Sequence, residues 1–296
     1  MEYDVAIIGT GPAGLQAAIH AARKKVSVVV LGKVANSAMT GTHVENYFGV
    51  PGTKDGDDIL ADGIAQARLF GCTFVGYNVI AAEDIGGKFL ITAEDDSTYE
   101  VKSVIIATGV SRKSLGVPGE KELFGKGVSY CAICDCNFYR GRVVAIVGDE
   151  TEAAVSAAIM TKYASKTYWV SNDIKASDVA RDKALAAGVI LLDTTIESIQ
   201  GENRVSSMKL SDGSVVEVDG VFIELGAKSS ADLAMDLGVM PEMDDSIRVD
   251  RKCGTEVPGV YACGDVTGKP WQIAKAVGEG CIAGLSAADH ARGMMS

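Results

Sequence analysis

Near the middle of the chain, two residues separate the cysteines Cys131 and Cys134, and the carboxylate of Asp135 follows the second cysteine. With this spacing, the thiolate of one cysteine can attack a mixed disulfide that the other has formed. The segment therefore predicts thiol–disulfide exchange. Zinc binding is the competing interpretation, because Cys136 makes a third cysteine. No fourth cysteine or histidine lies nearby in the sequence, and we predict no metal site.

Near the N-terminus, a glycine-rich turn joins a predicted strand to a predicted helix. Its sequence is Gly9-Thr10-Gly11-Pro12-Ala13-Gly14. The first glycine allows a tight turn, the second lets a pyrophosphate approach the backbone, and the third lets the helix pack closely on the strand. The turn therefore predicts a dinucleotide site. The acidic residue expected after the second strand is absent, because Leu31-Gly32-Lys33 stands there, so ribose recognition must come from elsewhere.

The beginning of a nucleotide fold occurs twice in the chain. The segment 144–148 repeats the segment 5–9 nearly residue for residue, and a predicted helix and strand follow each. The sequence therefore predicts an α/β fold with two Rossmann-like, doubly wound dinucleotide-binding domains, each in three layers (ββα). We expect one domain to comprise residues 1–114 and 244–296. The second domain, at 115–243, is inserted into it.

Composition and charge exclude several classes of protein. The net charge of −11 disfavours binding to nucleic acid or to an anionic membrane. Apolar runs such as Val26–Leu31 are too short to span a membrane. The first predicted strand begins within three residues of the N-terminus, which leaves no room for a signal peptide. Because the seven cysteines lack the spacing of a disulfide scaffold, we expect a cytoplasmic protein.

Near the C-terminus, the strand that ends at Gly264-Asp265 can present a carboxylate to polyol hydroxyls. Together with Ala107-Thr108-Gly109, it resembles the FAD-binding pattern of flavoprotein disulfide reductases with two dinucleotide domains. In their order along the chain, these segments resemble a low-molecular-weight thioredoxin reductase over essentially the whole sequence. The segment Gly125–Asp135 is the most specific part of this resemblance.

The resemblance implies a cofactor, a reaction and partners. FAD would be bound by Gly9, Gly11, Pro12, Ala13, Gly14, Asn46, Ala107, Thr108, Gly109, Gly264, Asp265, Gln272 and Ile273. Cys134 would face the flavin, Cys131 would attack thioredoxin, and Asp135 would be the acid–base group. The family further implies a homodimer and a rotation of the inserted domain that alternately buries and exposes the cysteine pair.

The second dinucleotide turn departs from the pattern of an NADPH-using member. It reads Gly148-Asp149-Glu150, so that a carboxylate side chain stands where the backbone would admit a pyrophosphate. Ser171-Asn172-Asp173 replaces the His-Arg-Arg run that binds the 2′-phosphate in the family. The loss of two charge-assisted contacts costs about 3–6 kcal/mol. We therefore predict that NADPH binding is lost or badly weakened.

A reductase without NADPH needs another electron donor. The resemblance is then closest to the NADPH-independent branch, in which reduced ferredoxin reduces the flavin. Trp271 fits this branch if it lies beside the flavin, although a tryptophan that only packs in the core is an equal alternative. A basic surface for ferredoxin could comprise Lys113, Lys121, Lys126 and Arg140 or Arg142. The alternatives are a reductase that uses NAD(P)H or a deazaflavin (F420) at an altered donor site, and a non-catalytic flavin redox sensor.

Overall fold

The chain divides into two compact units. The computed structural model describes residues 1–110, 114–130, 132–226 and 228–293, and of Ile133 and Cys134 it describes the backbone only. The first unit contains both ends of the chain, 1–111 and 229–296, and the second comprises 112–228. No helix in the described parts of the chain is long and apolar enough to span a membrane.

Short strands and helices alternate along both units. The strands are β1 (Glu2–Ile8), β2 (Val28–Leu31), β3 (His43–Val44), β4 (Lys54–Asp55), β5 (Thr73–Val75), β6 (Val79–Asp84), β7 (Phe89–Ala93), β8 (Thr98–Ile106), β9 (Val128–Ser129), β10 (Val143–Val147), β11 (Lys166–Val170), β12 (Ile190–Leu192), β13 (Ile196–Gln200), β14 (Ser207–Leu210), β15 (Val215–Glu217), β16 (Gly220–Ile223) and β17 (Val260–Ala262). The helices are α1 (Pro12–Arg23), α2 (Gly56–Leu69), α3 (Ala132–Asp135), α4 (Thr151–Met160), α5 (Asp178–Ala186), α6 (Ser230–Asp236) and α7 (Ile273–Ala291).

The main sheet of the first unit has five parallel strands in the order β5-β2-β1-β8-β17, and the antiparallel strands β7 and β6 extend it. Residues of β1 alternate between its two faces, as the period of a strand requires. Val5 and Ile7 pack with α1 and α7, whereas Ala6 and Ile8 pack with β7 and α6. Both faces of β1 are therefore buried, which explains its continuous apolar sequence.

Helices α1 and α7 approach each other closely because glycines lie between them. A Cβ atom on Gly280 would lie 2.3 Å from the carbonyl oxygen of Ala13, and one on Gly284 would lie 2.3 Å from that of Ala17. Neither position has room for a side chain. This packing sets the N-terminus of α1 against the first half of α7.

The second unit repeats the architecture with a parallel sheet in the order β12-β11-β10-β16-β9. Val144 and Ile146 of β10 pack against a layer that contains α4 and α5. Ala145 and Val147 pack on the other face, against the antiparallel sheet β13-β14-β15. Each unit is thus a three-layer α/β structure, and this fold class was predicted from the sequence.

The end of the inserted unit differs from the prediction. We expected the insertion to continue to residue 243, but the second unit ends at Lys228. Helix α6, which the sequence analysis missed, belongs to the first unit because Leu233, Ala234 and Leu237 lie in its core. The start differs by only a few residues, at 112 instead of 115.

Candidate functional site

The glycine-rich turn after β1 has the close contacts that its sequence predicts. Gly9 has φ +123°, and a Cβ there would lie 2.2 Å from the carbonyl oxygen of Ala107. A Cβ on Gly14 would lie 2.1 Å from the carbonyl oxygen of Gly9. Both glycines are therefore required by packing within the protein, at the junction of β1, β8 and α1.

Gly11 differs from the other two glycines of the turn. It precedes α1, has φ −79°, and a Cβ there would meet only the Ser37 hydroxyl, at 3.6 Å. No contact within the described protein therefore requires a glycine at this position. Pro12 begins α1, and the first turn of that helix contains no acidic residue. The helix N-terminus consequently keeps its partial positive charge for an anionic ligand.

The C-terminal ends of β8 and β17 lie beside this turn. The N–H of Ala107 donates to the carbonyl of Ile8 at 2.8 Å, and that of Cys263 donates to Ile106 at 3.0 Å. Next to Ala107, the hydroxyl of Thr108 is buried without a hydrogen-bond partner in the described protein. Gly109 follows with φ +73°. A buried hydroxyl of this kind needs a partner, and a bound ligand could supply it.

Asp265 follows β17 at the same edge of the sheet. Burial raises the pKa of this carboxyl group, and the nearby ammonium of Lys275 partly opposes the rise. Gly264 has φ +84°, and a Cβ there would lie 2.8 Å from the Cβ of Ala13. A short 3₁₀ turn covers Asp265–Thr267 after this strand, and α7 begins at Ile273.

Two further predicted site residues contact each other in the first unit. The amide nitrogen of Asn46 donates to the side-chain oxygen of Gln272 at 3.1 Å, and Gln272 immediately precedes α7. Trp271 is 51% exposed, and the ammonium of Lys269 lies 5.3 Å from its ring centre. A tryptophan that only packs in the core would be buried, so the structure does not support that alternative.

A buried carboxylate lies near the end of β2, although another part of the chain provides it. Lys33 stands where the acidic residue was expected, and its ammonium lies 2.8 Å from the carboxylate of Glu94. Glu94 directly follows β7 and is only 3% exposed. The sequence analysis missed this pair because 61 positions separate its members, and no local pattern relates them.

In the second unit, the predicted dithiol segment is anchored from two sides. Cys131 lies outside the described residues, and so does the side chain of Cys134. The N–H of Ala132, which begins α3, donates to the carboxylate of Glu224 at 2.8 Å. Glu224 is buried and directly follows β16. This contact spans 92 positions, so the spacing of residues along the chain could not have revealed it.

On the other side of Cys131, the hydroxyl of Tyr130 donates to the carboxylate of Glu120 at 2.6 Å. The same carboxylate accepts the N–H groups of Leu115 at 3.0 Å and of Gly116 at 2.6 Å. Glu120 is 1% exposed. It therefore ties the beginning of the second unit to the residue that precedes the first cysteine. Asp135 ends α3, and Phe138, three residues further on, is 79% exposed.

The second dinucleotide turn has a different electrostatic character from the first. Glu150 occupies the N-cap position of α4, and Glu152 is buried in the first turn of that helix. The ammonium of Lys175 lies 2.5 Å from Asp149 and 3.3 Å from Asp173. The Lys175 N–H also donates to the carbonyl of Asp149 at 2.7 Å. The segment after β11 is therefore bound to the turn itself.

Comparison with known proteins identifies the family. The profile of the pyridine nucleotide-disulphide oxidoreductase family matches residues 3–280. The chain belongs to this family. It is 35% identical to the thioredoxin reductase of Listeria innocua, over 96% of this chain and 92% of that protein. The match confirms the predicted resemblance, and the chain is a flavoprotein oxidoreductase of the thioredoxin reductase type.

Two solved structures of thioredoxin reductases are similar over nearly the whole chain. The atypical thioredoxin reductase TRi of Desulfovibrio vulgaris Hildenborough has a TM-score of 0.86 at 34% identity and covers 98% of each chain. A ferredoxin-flavin thioredoxin reductase of Clostridium acetobutylicum has a TM-score of 0.68 at 34% identity and covers 97% of each chain. The two-domain fold of the reductase is thus shared with both.

FAD is the cofactor of this family of reductases, and the first unit fits it. The open position at Gly11, the α1 N-terminus without acidic residues and the buried Thr108 hydroxyl suit a dinucleotide with two phosphates. The acid-rich turn of the second unit does not suit one. The predicted cofactor is therefore confirmed, whereas the individual binding residues stay predictions.

Burial keeps two of the other cysteines of the reductase protonated at neutral pH. Cys72, Cys136, Cys253 and Cys263 are buried free thiols. Burial raises the pKa of Cys72 to about 11 and that of Cys253 to about 12. These two side chains therefore remain protonated thiols at neutral pH, whereas the thiolate is the reactive form.

Proposed function

We propose that this reductase receives electrons from a donor other than NADPH, with reduced ferredoxin favoured, and passes them through FAD and the Cys131–Cys134 dithiol to thioredoxin. The second dinucleotide turn carries this proposal. Glu150 stands at its N-cap position, and Lys175 binds Asp149 and Asp173 across it. A pyrophosphate would have to displace this ion-pair network and approach carboxylates of its own charge.

Two observations support ferredoxin as the donor. One of the similar structures is a ferredoxin-flavin thioredoxin reductase. In the first unit of this chain, Trp271 is half exposed beside Lys269. Of the predicted basic surface, Lys121 and Lys126 are exposed, Arg142 forms an ion pair with Asp219, and Lys113 lies outside the described residues.

The proposed reaction transfers two electrons and two protons to thioredoxin. FAD, which the residues around the β1–α1 turn would hold, would supply the chemistry that accepts single electrons from ferredoxin and delivers a pair of them to the cysteine disulfide. The thiolate of Cys131 then attacks the thioredoxin disulfide, which forms a mixed disulfide and releases one thiolate. Cys134 attacks the sulfur of Cys131, so that the Cys131–Cys134 disulfide forms again and the second thiolate leaves. Asp135 transfers the proton of the Cys134 thiol to one leaving thiolate, and the other leaving thiolate takes up a proton from water.

The contacts around the dithiol limit what can activate it. Because the N–H of Ala132 donates to Glu224, this amide does not stabilise a thiolate on the neighbouring cysteine. The exposed ring of Phe138 gives a partner protein an apolar contact close to the dithiol. From the family resemblance we further propose that the protein is cytoplasmic and forms a homodimer. The mass of the protein in solution tests whether it is a dimer.

The donor is tested by anaerobic titration of the purified flavoprotein with NADPH, NADH, reduced ferredoxin and reduced deazaflavin in parallel. We expect ferredoxin to bleach the flavin absorption band and both nicotinamides to leave it unchanged. Bleaching within milliseconds by one equivalent of NADPH would refute the proposal in favour of an altered nicotinamide site. Bleaching by the deazaflavin alone would identify that alternative.

The dithiol is tested by Cys131→Ser and Cys134→Ser, with Cys136→Ala as the matched control. We expect both serine variants to keep FAD and to lose thioredoxin reduction, because each removes one thiol of the exchange. The control should retain turnover. If the wild-type protein, once photoreduced, transfers no electrons to any thioredoxin, it is a flavin redox sensor instead of a reductase.

A further inference from the structure

Lys275 lies in an unusual place for a cation. It is the third residue of α7, a helix of 19 residues, where the helix dipole disfavours positive charge. Its side chain is only 17% exposed. Its ammonium donates to the carbonyls of Gly264 at 2.8 Å and Gly268 at 2.9 Å, and to the hydroxyl of Thr267 at 2.7 Å. The ammonium is thus held by the segment before the helix.

Glu279, one helical turn later, completes this arrangement. Its carboxylate lies 3.2 Å from the Lys275 ammonium. It accepts the N–H of Gly264 at 2.8 Å and the hydroxyl of Thr267 at 2.7 Å. The lysine and the glutamate together bind both ends of the segment Gly264–Gly268. We call these two side chains the α7 clamp.

The segment held by the α7 clamp contains Asp265. Its two end residues, Gly264 and Gly268, have φ +84° and +99°, so both are in the left-handed region. The turn that they enclose is a single 3₁₀ turn with few hydrogen bonds of its own. Contacts from α7 therefore fix where the Asp265 carboxylate lies relative to the N-terminus of that helix.

We propose that Lys275 is a positioning residue for FAD, and that its charge also raises the reduction potential of the flavin. Reduction adds negative charge to a flavin, and a desolvated cation beside the N-terminus of α7 favours the reduced form. Glu279 contributes equally to the position of the turn, but its charge has the opposite sign. The inference rests on the proposed placement of Asp265 and Ile273 at FAD, and not on the identity of the donor.

The variants Lys275→Met and Glu279→Gln distinguish the two proposed roles, which are the positioning of FAD and the effect of charge on the flavin potential. Each removes hydrogen bonds from the Gly264–Gly268 turn, so we expect both to weaken FAD binding by tenfold or more. The charge effects differ: Lys275→Met should lower the flavin potential, whereas Glu279→Gln should raise it. In the double variant, FAD binding should stay weak while the potential returns towards that of the wild type. Lys275→Arg, which keeps the charge, should preserve the potential.

FAD affinity is measured by quenching of flavin fluorescence, and the potential by equilibration with reference dyes during reduction by dithionite. These measurements need neither ferredoxin nor thioredoxin, so their outcome is independent of the proposed electron transfer. Lys88→Met is the matched control, because it removes a lysine from an exposed ion pair with Glu100, near the opposite end of β8. If Lys275→Met changes neither quantity, or shifts the potential in the same direction as Glu279→Gln, the proposal is wrong.

If Lys275→Met does not fold, the double variant carries the test, since its net charge equals that of the wild type and it leaves no unpaired charge. We expect that variant to bind FAD weakly. FAD affinity equal to that of the wild type in the double variant would show that the α7 clamp does not position the cofactor. Unchanged potentials in both Glu279→Gln and the double variant would be consistent with positioning alone and would refute the effect of charge.

Discussion

Glu120 shows how one buried carboxylate can organise the approach to the dithiol. Burial alone would raise the pKa of Glu120, but hydrogen bonds from Tyr130, from Ser114 and from the N–H groups of Gly116 and Leu115 outweigh it, and the pKa is lowered. Every one of these groups donates to the ionised form. A carboxylate whose pKa is lower in the folded state stabilises the fold above its unfolded pKa of about 4.5. This stabilisation is lost as the pH falls through the folded pKa.

The change Glu120→Gln tests this contribution. An amide of the same shape keeps part of the hydrogen bonding but not the charge, so we expect a loss of about 1–3 kcal/mol at pH 7. The loss should shrink as the pH falls below 4.5, where the unfolded chain gains a proton first, and should vanish once the folded carboxylate is also protonated at its lower pKa. The measurement is the free energy of unfolding in urea between pH 3 and 7. Glu122→Gln, two residues away and exposed, is the control. A difference between wild type and Glu120→Gln that does not depend on pH would contradict this account.

The sequence was sufficient to locate residues that belong to a local motif, but not those that act through distant contacts. The places of Gly9, Gly14 and Asp265 in the fold could be predicted because each stands at a fixed position relative to the end of a strand. Glu224 and Glu94 could not, because their partners, Ala132 and Lys33, belong to elements far apart in the chain. A buried charged residue has no local pattern that distinguishes it from an exposed one.

At the scale of elements, the turn between β1 and α1 combines two different requirements for glycine. Gly14 has no room for a Cβ because the carbonyl of Gly9 occupies that place, whereas Gly11 has only an ordinary contact with Ser37. Packing within the protein explains why Gly14 is a glycine. For Gly11, we propose that the approach of the cofactor is the reason.

We therefore expect Gly11→Ala to weaken FAD binding and Gly14→Ala to lower the stability of the fold. The Gly11 variant should keep the thermal stability of the FAD-free protein and should bind FAD at least about tenfold more weakly, because the new methyl group meets the pyrophosphate. The Gly14 variant should lose about 1–3 kcal/mol of stability even without FAD, because its methyl group overlaps the backbone. Thermal unfolding of the stripped protein and titration with FAD distinguish the two. Equal losses of stability in both variants would show that Gly11 also serves the fold.

The boundaries of elements were harder to predict than their order. Both βαβ beginnings could be predicted, because strand, glycine turn and helix follow one another locally. Helix α6 was missed and its residues were assigned to the wrong unit, since only their contacts with the core of the first unit decide where they belong.

At the scale of the whole molecule, each unit has its own core, and the two tryptophans of the chain are divided between them. Trp169 in the second unit is fully buried and donates to the carbonyl of Gly148 at 2.8 Å. Trp271 lies in the first unit and is half exposed. The variant Trp271→Phe thus leaves one fluorescent reporter, which becomes exposed only when the second unit unfolds.

This reporter allows the effect of FAD to be assigned to one unit. We propose that FAD binds the first unit, and a ligand at 100 times its dissociation constant stabilises the folded form by about 2.7 kcal/mol. In Trp271→Phe, removal of FAD should therefore lower the midpoint of one calorimetric transition by several degrees and leave the Trp169 fluorescence transition nearly unchanged. If the acid-rich turn of the second unit excludes nucleotides, as we propose, neither added FAD nor NADPH should raise the Trp169 midpoint. If the two transitions fall together when FAD is removed, the units unfold as one. A Trp169 midpoint that rises with NADPH would instead show that the second unit has kept a coenzyme site.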